Sequence, residues 1–211
     1  MKVLIACEFS QVVTKAFRNK GHDAFSCDIL TTDGDPKYHL QGDVLDYLQE
    51  GRWDLMIAHP PCTYLCISGN SWFYHPEDKH LPVSERRPHP KFPNRRQHQA
   101  DALDFVKTLL NAPIDKICLE NPVGKISTVV RKPDQIIQPF QFGHPEPKKT
   151  CLWLKNLSKL EPTKLVEPEY SVYGGKKHAT WYYAPSNTPE RQKMRETTFQ
   201  GIANAMADQW G

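Results

Sequence analysis

The sequence predicts an α/β fold of three layers, built on a mostly parallel sheet and closed by a β-hairpin. Three observations carry this reading. Short apolar runs of strand length, at 3–7, 24–27, 55–58 and 117–119, are interleaved with segments whose apolar residues recur at helical spacing. The runs at 3–7 and 55–58 are continuously apolar, as in parallel strands buried on both faces. A last pair of runs, 136–142 and 151–154, flanks the turn-rich stretch from Gly143 to Thr150 and reads as the hairpin.

The elements follow in order. After the strand at 3–7, Glu8-Phe9-Ser10 makes a turn, with Ser10 as N-cap of a helix carrying Val12, Val13, Ala16 and Phe17 and closed by Gly21. The strand at 24–27 ends at Asp28. An acid in that place of a βαβ start is the usual device for hydrogen-bonding ribose hydroxyls. The first turn, Cys7-Glu8-Phe9-Ser10-Gln11, lacks the glycine pattern of a pyrophosphate site, which leaves a nucleoside cofactor without phosphates. A third strand precedes Gln41-Gly42-Asp43, and a short helix runs to about Glu50. Asp43 is a candidate contact to an adenine amino group.

The strand at 55–58 is closed by Pro60 and Pro61, neither of which can donate to a ladder. Cys62 then lies just past its carboxyl end, the edge where open α/β sheets bind ligands. Its counterpart is Cys118-Leu119-Glu120, a strand ending in a carboxylate. A helix spans about 96–112, Pro122 opens another in the first-turn position, and a final helix carries Ile202, Ala205, Met206 and Trp210.

Bulk properties narrow the function. A chain of 211 residues suffices for one domain with a full core, so 1–211 reads as a single unit. A net charge of +3 permits a polyanionic partner without requiring one. Six cysteines without regular spacing are not a disulfide framework and fit reduced thiols in a cytoplasmic protein. No apolar run approaches the ~18 residues of a membrane span, and the apolar run after Met1-Lys2 is too short for a signal sequence.

Two stretches fall outside this pattern. Residues 69–96 are irregular and basic, with Lys79, Arg86, Arg87, Lys91, Arg95 and Arg96 interleaved with Trp72, Phe73, Tyr74 and Phe92. A loop of this length inside a compact domain is usually functional or disordered. Cations pair with phosphates and aromatics stack on bases, so nucleic acid is the natural partner, with Arg86, Arg87, Arg95 and Arg96 as candidate contacts. Residues 156–189 form a second proline-rich insert containing Tyr173-Gly174-Gly175-Lys176-Lys177-His178 and Trp181-Tyr182-Tyr183. Lys149, Lys176 and Lys177 are further cationic candidates.

Pro61-Cys62, Glu120-Asn121-Pro122, the segment from Phe142 to Lys149 and the segment from Gln200 to Met206 occur in an order that resembles the DNA (cytosine-5)-methyltransferases. The likeness is closest to the small versions common in phage genomes, some of them tied to restriction-modification, and covers nearly the whole chain. It implies the Rossmann-like class I S-adenosylmethionine-dependent methyltransferase fold, with 156–189 as a shortened recognition region. It implies Cys62 as a covalent nucleophile at C6 of cytosine, and Glu120 as the acid on the N3/N4 edge. Lys148 stands where the family's basic motif has its first arginine. Because C6 is hidden in a duplex, the base would be flipped out. For S-adenosylmethionine the resemblance implies Cys7, Glu8 and Phe9 along its loop, Asp28 at the ribose, Asp43 and Val44 at the adenine, and Pro60 and Asn204 completing the pocket. The chain departs from the family in its glycine-poor first loop, in Glu146-Pro147-Lys148-Lys149-Thr150 for Gln-x-Arg-x-Arg, and in Ala203-Asn204 for Gly-Asn.

Other classes fit less well. Zinc deaminases need His-x-Glu before Pro-Cys-x-x-Cys. Here three residues separate Cys62 from Cys66, and His75-Pro76-Glu77 and His144-Pro145-Glu146 come afterwards, so no metal is expected. His59-Pro60-Pro61-Cys62 is similar to the loop of amino-group methyltransferases, but histidine and cysteine substitute poorly for its amine-binding residue and stacking aromatic. Two alternatives stay open: a non-catalytic DNA-binding module on the same scaffold, and a methyltransferase acting on a nucleotide or modified base.

Overall fold

The computed structural model describes residues 1–49, 51–179 and 196–211, without the side chains of Tyr173, Lys176 and His178. Glu50, the triplet Trp181-Tyr182-Tyr183 and the side chain of Lys176 lie outside the described residues.

One seven-stranded sheet organises the chain. Its strands are β1 (Lys2–Ala6), β2 (Asp23–Asp28), β3 (His39–Gln41), β4 (Leu55–Ala58), β5 (Lys116–Pro122), β6 (Gln135–Ile137) and β7 (Thr150–Lys155). The order is β3-β2-β1-β4-β5-β7-β6. Pairings from β3 to β5 are parallel, and β7 runs antiparallel to both β5 and β6. The helices are α1 (Val12–Asn19), α2 (Arg95–Leu110), α3 (Ile126–Val129) and α4 (Gln200–Trp210). This is the Rossmann-like three-layer fold that the sequence predicts, closed by the β6–β7 hairpin.

Strand alternation divides the core. Val3, Ile5, Leu55 and Ile57 face α1 and α4, packing with Phe17, Ile202, Met206 and Trp210. Leu4, Ala6, Met56 and Ala58 face the other way, toward Leu103, Val106 and Leu109 of α2. Burial on both sides explains why β1 and β4 are apolar without alternation. Among the described residues, no helix is long and apolar enough to cross a membrane.

Several local expectations are corrected. Ser10 is not the main cap of α1. The Glu8 carboxylate accepts from Val13 N (2.7 Å), Thr14 N (3.2 Å) and Thr14 Oγ1 (2.7 Å), whereas Ser10 Oγ lies 3.5 Å from Val12 N. An ionised carboxylate satisfies the helix's unpaired N–H groups and complements its dipole better than a hydroxyl. Pro122 does not open a helix but ends β5, opposite Thr150, where a strand can stop without a donor. The strand predicted over 136–142 stops at Ile137, because Pro139 starts a 3-10 turn (Pro139–Gln141). The helix predicted after Asp43 is a single 3-10 turn, Val44–Tyr47. The stretch 69–96 is not irregular throughout: it carries 3-10 turns at Ile67–Phe73, Pro76–His80 and Val83–Glu85.

A separate ribbon pairs β8 (Tyr170–Tyr173) with β9 (Lys176–Ala179) around Gly174 and Gly175, at φ 57° and 73°. Two successive positive φ values define the tight hairpin turn that Gly-Gly favours.

Candidate active site

The topology reverses between β1 and β4, since the chain leaves β1 toward β2 and leaves β4 toward β5. A reversal of this kind opens a crevice at the carboxyl ends of the two strands. Ala6 pairs with Ala58, and His59 N donates to Ala6 O at 2.9 Å, so the turn after β1 meets the start of the Cys62 loop. Cys7, Glu8, Phe9, Ser10 and His59 line one cleft there, with Glu196 and Thr198.

The turn after β1 is rigid without glycine. Cys7 and Gln11 sit in the left-handed region at φ 58° and 57°, a conformation that costs a non-glycine residue about 1 kcal/mol or more. The buried Gln11 side chain offsets this: Nε2 donates to Ser26 Oγ (3.2 Å) and Asp35 O (2.9 Å), and Oε1 accepts from Asp35 N (2.8 Å). Thr32 Oγ1 and Asp33 N both donate to Phe9 O. Burial, then the charges of Asp28, Cys27 and Asp43, push the Cys7 thiol far above its ordinary range, which places both acids on this edge of the sheet. Asp28 Oδ1 accepts from Leu30 N (2.9 Å) and Asp43 Oδ1 from Leu45 N (3.0 Å). Of the other predicted cofactor residues, Glu8 turns its carboxylate into α1, Val44 is buried in the core, and Pro60 is buried at the end of β4. Asn204 is exposed on α4, accepts from Gln200 Nε2 (2.8 Å), and is not a wall residue of either cleft.

The Cys62 loop is held by its carbonyls. Asn121 Nδ2 donates to Pro60 O (2.7 Å), Leu65 N and Cys66 N to Cys62 O (both 2.9 Å), and Arg95 Nη2 to Thr63 O (2.6 Å). Gln99 Nε2 donates to Tyr64 O (2.7 Å), and Lys125 N to Leu65 O (2.7 Å). Gly124 permits the last contact, since a Cβ there would collide with Leu65 O. Donors from the end of β5 and from α2 thus fix a loop that has no ladder of its own.

Glu120, Lys148, Thr150, Phe199 and Ile202 line a second cleft, with Glu196 to Thr198. Glu196 and Thr198 belong to both clefts, so the two adjoin. Glu120 Oε2 lies 3.1 Å from His59 Nδ1, with both side chains largely buried. Burial alone raises the Glu120 carboxyl. The His59 hydrogen bond and the charges of His59 and Lys148 outweigh it and hold the group below its ordinary value. Cys62 feels both partners: Glu120 raises its thiol and Lys148 lowers it.

Cys62 and Cys66 share a hydrogen bond within one turn. Cys66 is drawn down to about 5, first by the Cys62 donor, with Ser68 Oγ (3.0 Å) and the N–H groups of Ser68 and Gly69 assisting against burial. Cys62 is pushed far up by the same bond and by burial. The shared hydrogen bond favours the thiol on Cys62 and the thiolate on Cys66.

The basic loop divides differently from its sequence. Arg95 is 6% exposed and packs on Tyr64 and Phe73, so it is a strut of the Cys62 loop and not a surface cation. Arg87 grips the buried Asp78 with Nε and Nη2, and Arg86 donates to the carbonyls of Leu81 and Lys79. Arg96 is exposed over the Tyr74 ring. Lys149 is exposed, and exposed Lys177 lies 5.9 Å from the Tyr170 ring centre. Sequence reasoning gave no site role to His59, Cys66 and Asn121, and read Arg95 as a phosphate contact where it holds the Cys62 loop. The signals available were a histidine directly before the two prolines and a second cysteine one turn after the first.

No family model matches the chain, and no curated protein matches it. Among solved structures, it is similar to an E. coli prophage protein provisionally named as a DNA modification methyltransferase, at 12% identity and TM-score 0.44, covering 79% of this chain and 52% of that one. It is also similar to WbdD, solved with a kinase inhibitor, at 13% identity and TM-score 0.43, covering 92% and 47%. A mutant DNMT2 from Spodoptera frugiperda gives 13% identity and TM-score 0.34, covering 89% and 60%. The chain spans about half the length of the first two.

Proposed function

We propose that the protein transfers a methyl group from S-adenosylmethionine to C5 of a cytosine base, through a covalent bond between Cys62 and C6. The observation that supports it most is the pairing of a thiol and a carboxyl at the ends of neighbouring strands: Cys62 follows β4, Glu120 lies in β5, and the two groups feel each other's charge.

The residues of the first cleft fit the cofactor's chemistry. The turn from Cys7 to Ser10 presents a rigid edge, and Asp28 and Asp43, which end β2 and follow β3 outside the cleft walls, are the carboxylates assigned to the ribose and the adenine. Bound there, S-adenosylmethionine supplies an electrophilic methyl group. The protein's own part is to make C5 nucleophilic. Cys62 passes its proton to the Cys66 sulfur and adds to C6. Glu120, in its acid form, gives N3 a proton as negative charge develops there and takes it back once C5 is methylated, with Lys148 beside it. C5 becomes enamine-like and takes the methyl group; its proton then passes to solvent water as the C6–sulfur bond breaks, and the released Cys62 thiolate recovers its proton from Cys66.

DNA is the proposed acceptor, its target base extruded toward the clefts, with Arg96, Lys149, Lys176 and Lys177 as phosphate contacts. A nucleotide acceptor is favoured by one observation: the recognition-like segment, 156–189, is short in the sequence. Incubation with deuterium-labelled S-adenosylmethionine and either DNA or dCMP, followed by nucleoside mass spectrometry, separates these readings. Labelled 5-methylcytosine is expected from DNA and from none of the Cys62→Ala reactions. Label from dCMP alone selects the nucleotide acceptor, and no label from either acceptor contradicts the proposal.

A further inference from the structure

Cys62 and Cys66 lie at the two ends of one backbone turn. Leu65 N and Cys66 N both donate to Cys62 O at 2.9 Å, and the two sulfurs are joined by a hydrogen bond. A turn closed from residue i to i+4 sets its end Cα atoms about 6 Å apart, inside the roughly 4.4–6.8 Å that disulfides span. Both thiols are free, and both residues are partly exposed. The turn is pinned from outside: Cys66 bridges to Gly124, and Ile67 N donates to Val123 O at 3.3 Å. The sulfurs are thus neighbours without any rearrangement of the loop.

The other four cysteines differ. Cys27, Cys118 and Cys151 are buried, and burial raises each thiol. Cys7 is raised by burial first and then by the charges around it. Cys66 alone of the six is drawn down, first by the Cys62 hydrogen bond. Its sulfur sits on the exposed side of the turn, 3.0 Å from Ser68 Oγ. A solvent-accessible thiolate with a second thiol in contact is the arrangement in which an oxidant attacks one sulfur and the other resolves it. The transfer reaction uses Cys66 only as a proton acceptor, so this accessibility is a separate property.

We propose that Cys62 and Cys66 close to a reversible disulfide when the protein meets a hydroperoxide, and that closure takes the nucleophile out of use. The disulfide follows from the thiol pair alone; its effect on activity rests on the cytosine-C5 reading. The Cys66 thiolate attacks one oxygen of hydrogen peroxide. A sulfur–oxygen bond forms, the oxygen–oxygen bond breaks and hydroxide leaves, giving a sulfenic acid on Cys66. That step ends the hydrogen bond which, ahead of burial, keeps the proton on Cys62. The Cys62 sulfur then attacks the Cys66 sulfur. The sulfur–sulfur bond forms, the sulfur–oxygen bond breaks, and the departing hydroxide takes the Cys62 proton and leaves as water. The sulfurs together lose two electrons, and the peroxide gains them. A dithiol reopens the bond by thiol–disulfide exchange. While the bond stands, Cys62 has no thiolate to add to C6, and Cys66 is kept from the irreversible sulfinic state.

The test is peptide mass spectrometry of the full chain after hydrogen peroxide, with remaining thiols blocked by N-ethylmaleimide during denaturation. The tryptic peptide 53–79 holds Cys62 and Cys66 and no other cysteine. It should lack two hydrogens and carry no maleimide, and dithiothreitol before blocking should restore both thiols. Cys66→Ser should leave Cys62 open to maleimide under the same treatment. A sulfinic or sulfonic Cys66 beside a blocked Cys62 in the wild type, or no change at either cysteine, overturns the inference, and this readout needs no variant to fold. In parallel, adduct formation with 5-fluorocytosine DNA and S-adenosylmethionine should fall at least about tenfold on oxidation and return with dithiothreitol. A complete disulfide with an unchanged adduct rate overturns the switch. A disulfide in a protein that makes no adduct even when reduced upholds the thiol pairing and contradicts the methyltransferase reading instead.

Discussion

Asn121 Nδ2 donates to the Pro60 carbonyl at 2.7 Å, and this bond ties the strand that carries Glu120 to the loop that carries Cys62. Asn121 is 1% exposed, so the bond is made out of water. Asn121→Ala leaves both reacting groups intact and frees one buried carbonyl. It should cost about 1–3 kcal/mol of stability in denaturant unfolding. Adduct formation should slow by about tenfold or more, since small misplacements are expensive in covalent catalysis. Full adduct rate at reduced stability would show that other clamps suffice to align the loop.

The thiol pair makes a prediction with a sign. Cys66 is drawn down to about 5 and Cys62 is pushed up, so the thiolate of the free protein resides on Cys66 above about pH 5. Iodoacetamide at pH 7, followed by peptide mass spectrometry, should label Cys66 before Cys62. That labelling should fade as pH falls through about 5, where the thiolate is protonated. Preferential labelling of Cys62 would reverse the assignment of the proton.

Two adjacent arginines should behave differently. Arg95→Ala removes a charge-assisted bond to Thr63 O and two ring contacts, a loss of roughly 2–4 kcal/mol. Arg96→Ala should change stability by no more than about 0.5 kcal/mol. In a salt titration of DNA binding, Arg96→Ala should reduce the slope by about one. Equal stability losses for the two would contradict the burial of Arg95.

This contrast shows how far the sequence could be read. Strand β4 and helix α4 lie where their patterns put them, because an apolar run and a helical stripe report burial directly. Arginines report only charge. Whether Arg86, Arg87 and Arg95 face phosphate or fold back onto carbonyls depends on which loop acceptors lack partners, and that is decided by tertiary packing. The Glu8 cap was missed for a similar reason: an acid two residues before Ser10 reaches the helix only because Cys7 and Gln11 adopt left-handed backbone. Pro139 did signal the end of β6, and Gly174-Gly175 did signal the ribbon. Both cues were present in the sequence.

Acid should weaken the loop after Cys62. The Arg87 hydrogen bonds hold the Asp78 carboxyl well below the usual carboxylate range. A depressed folded-state value contributes stability that is complete above the unfolded value, about 4, and is lost as pH falls toward the folded one. Asp78→Asn should flatten the decline of Tm between about pH 4 and 2. A decline as steep as the wild type's would place the acid sensitivity elsewhere, with Glu120 and Asp134 the next groups to test, both also held low.

The central claim is that the Cys62 sulfur attacks a cytosine ring. Its most direct test is intact-mass and peptide analysis of the protein after incubation with 5-fluorocytosine DNA and S-adenosylmethionine. The account predicts a denaturation-resistant complex whose modified peptide carries the nucleotide on Cys62 and which is absent from Cys62→Ala. A complex of equal yield in Cys62→Ala, or one joined through Cys66, would contradict it.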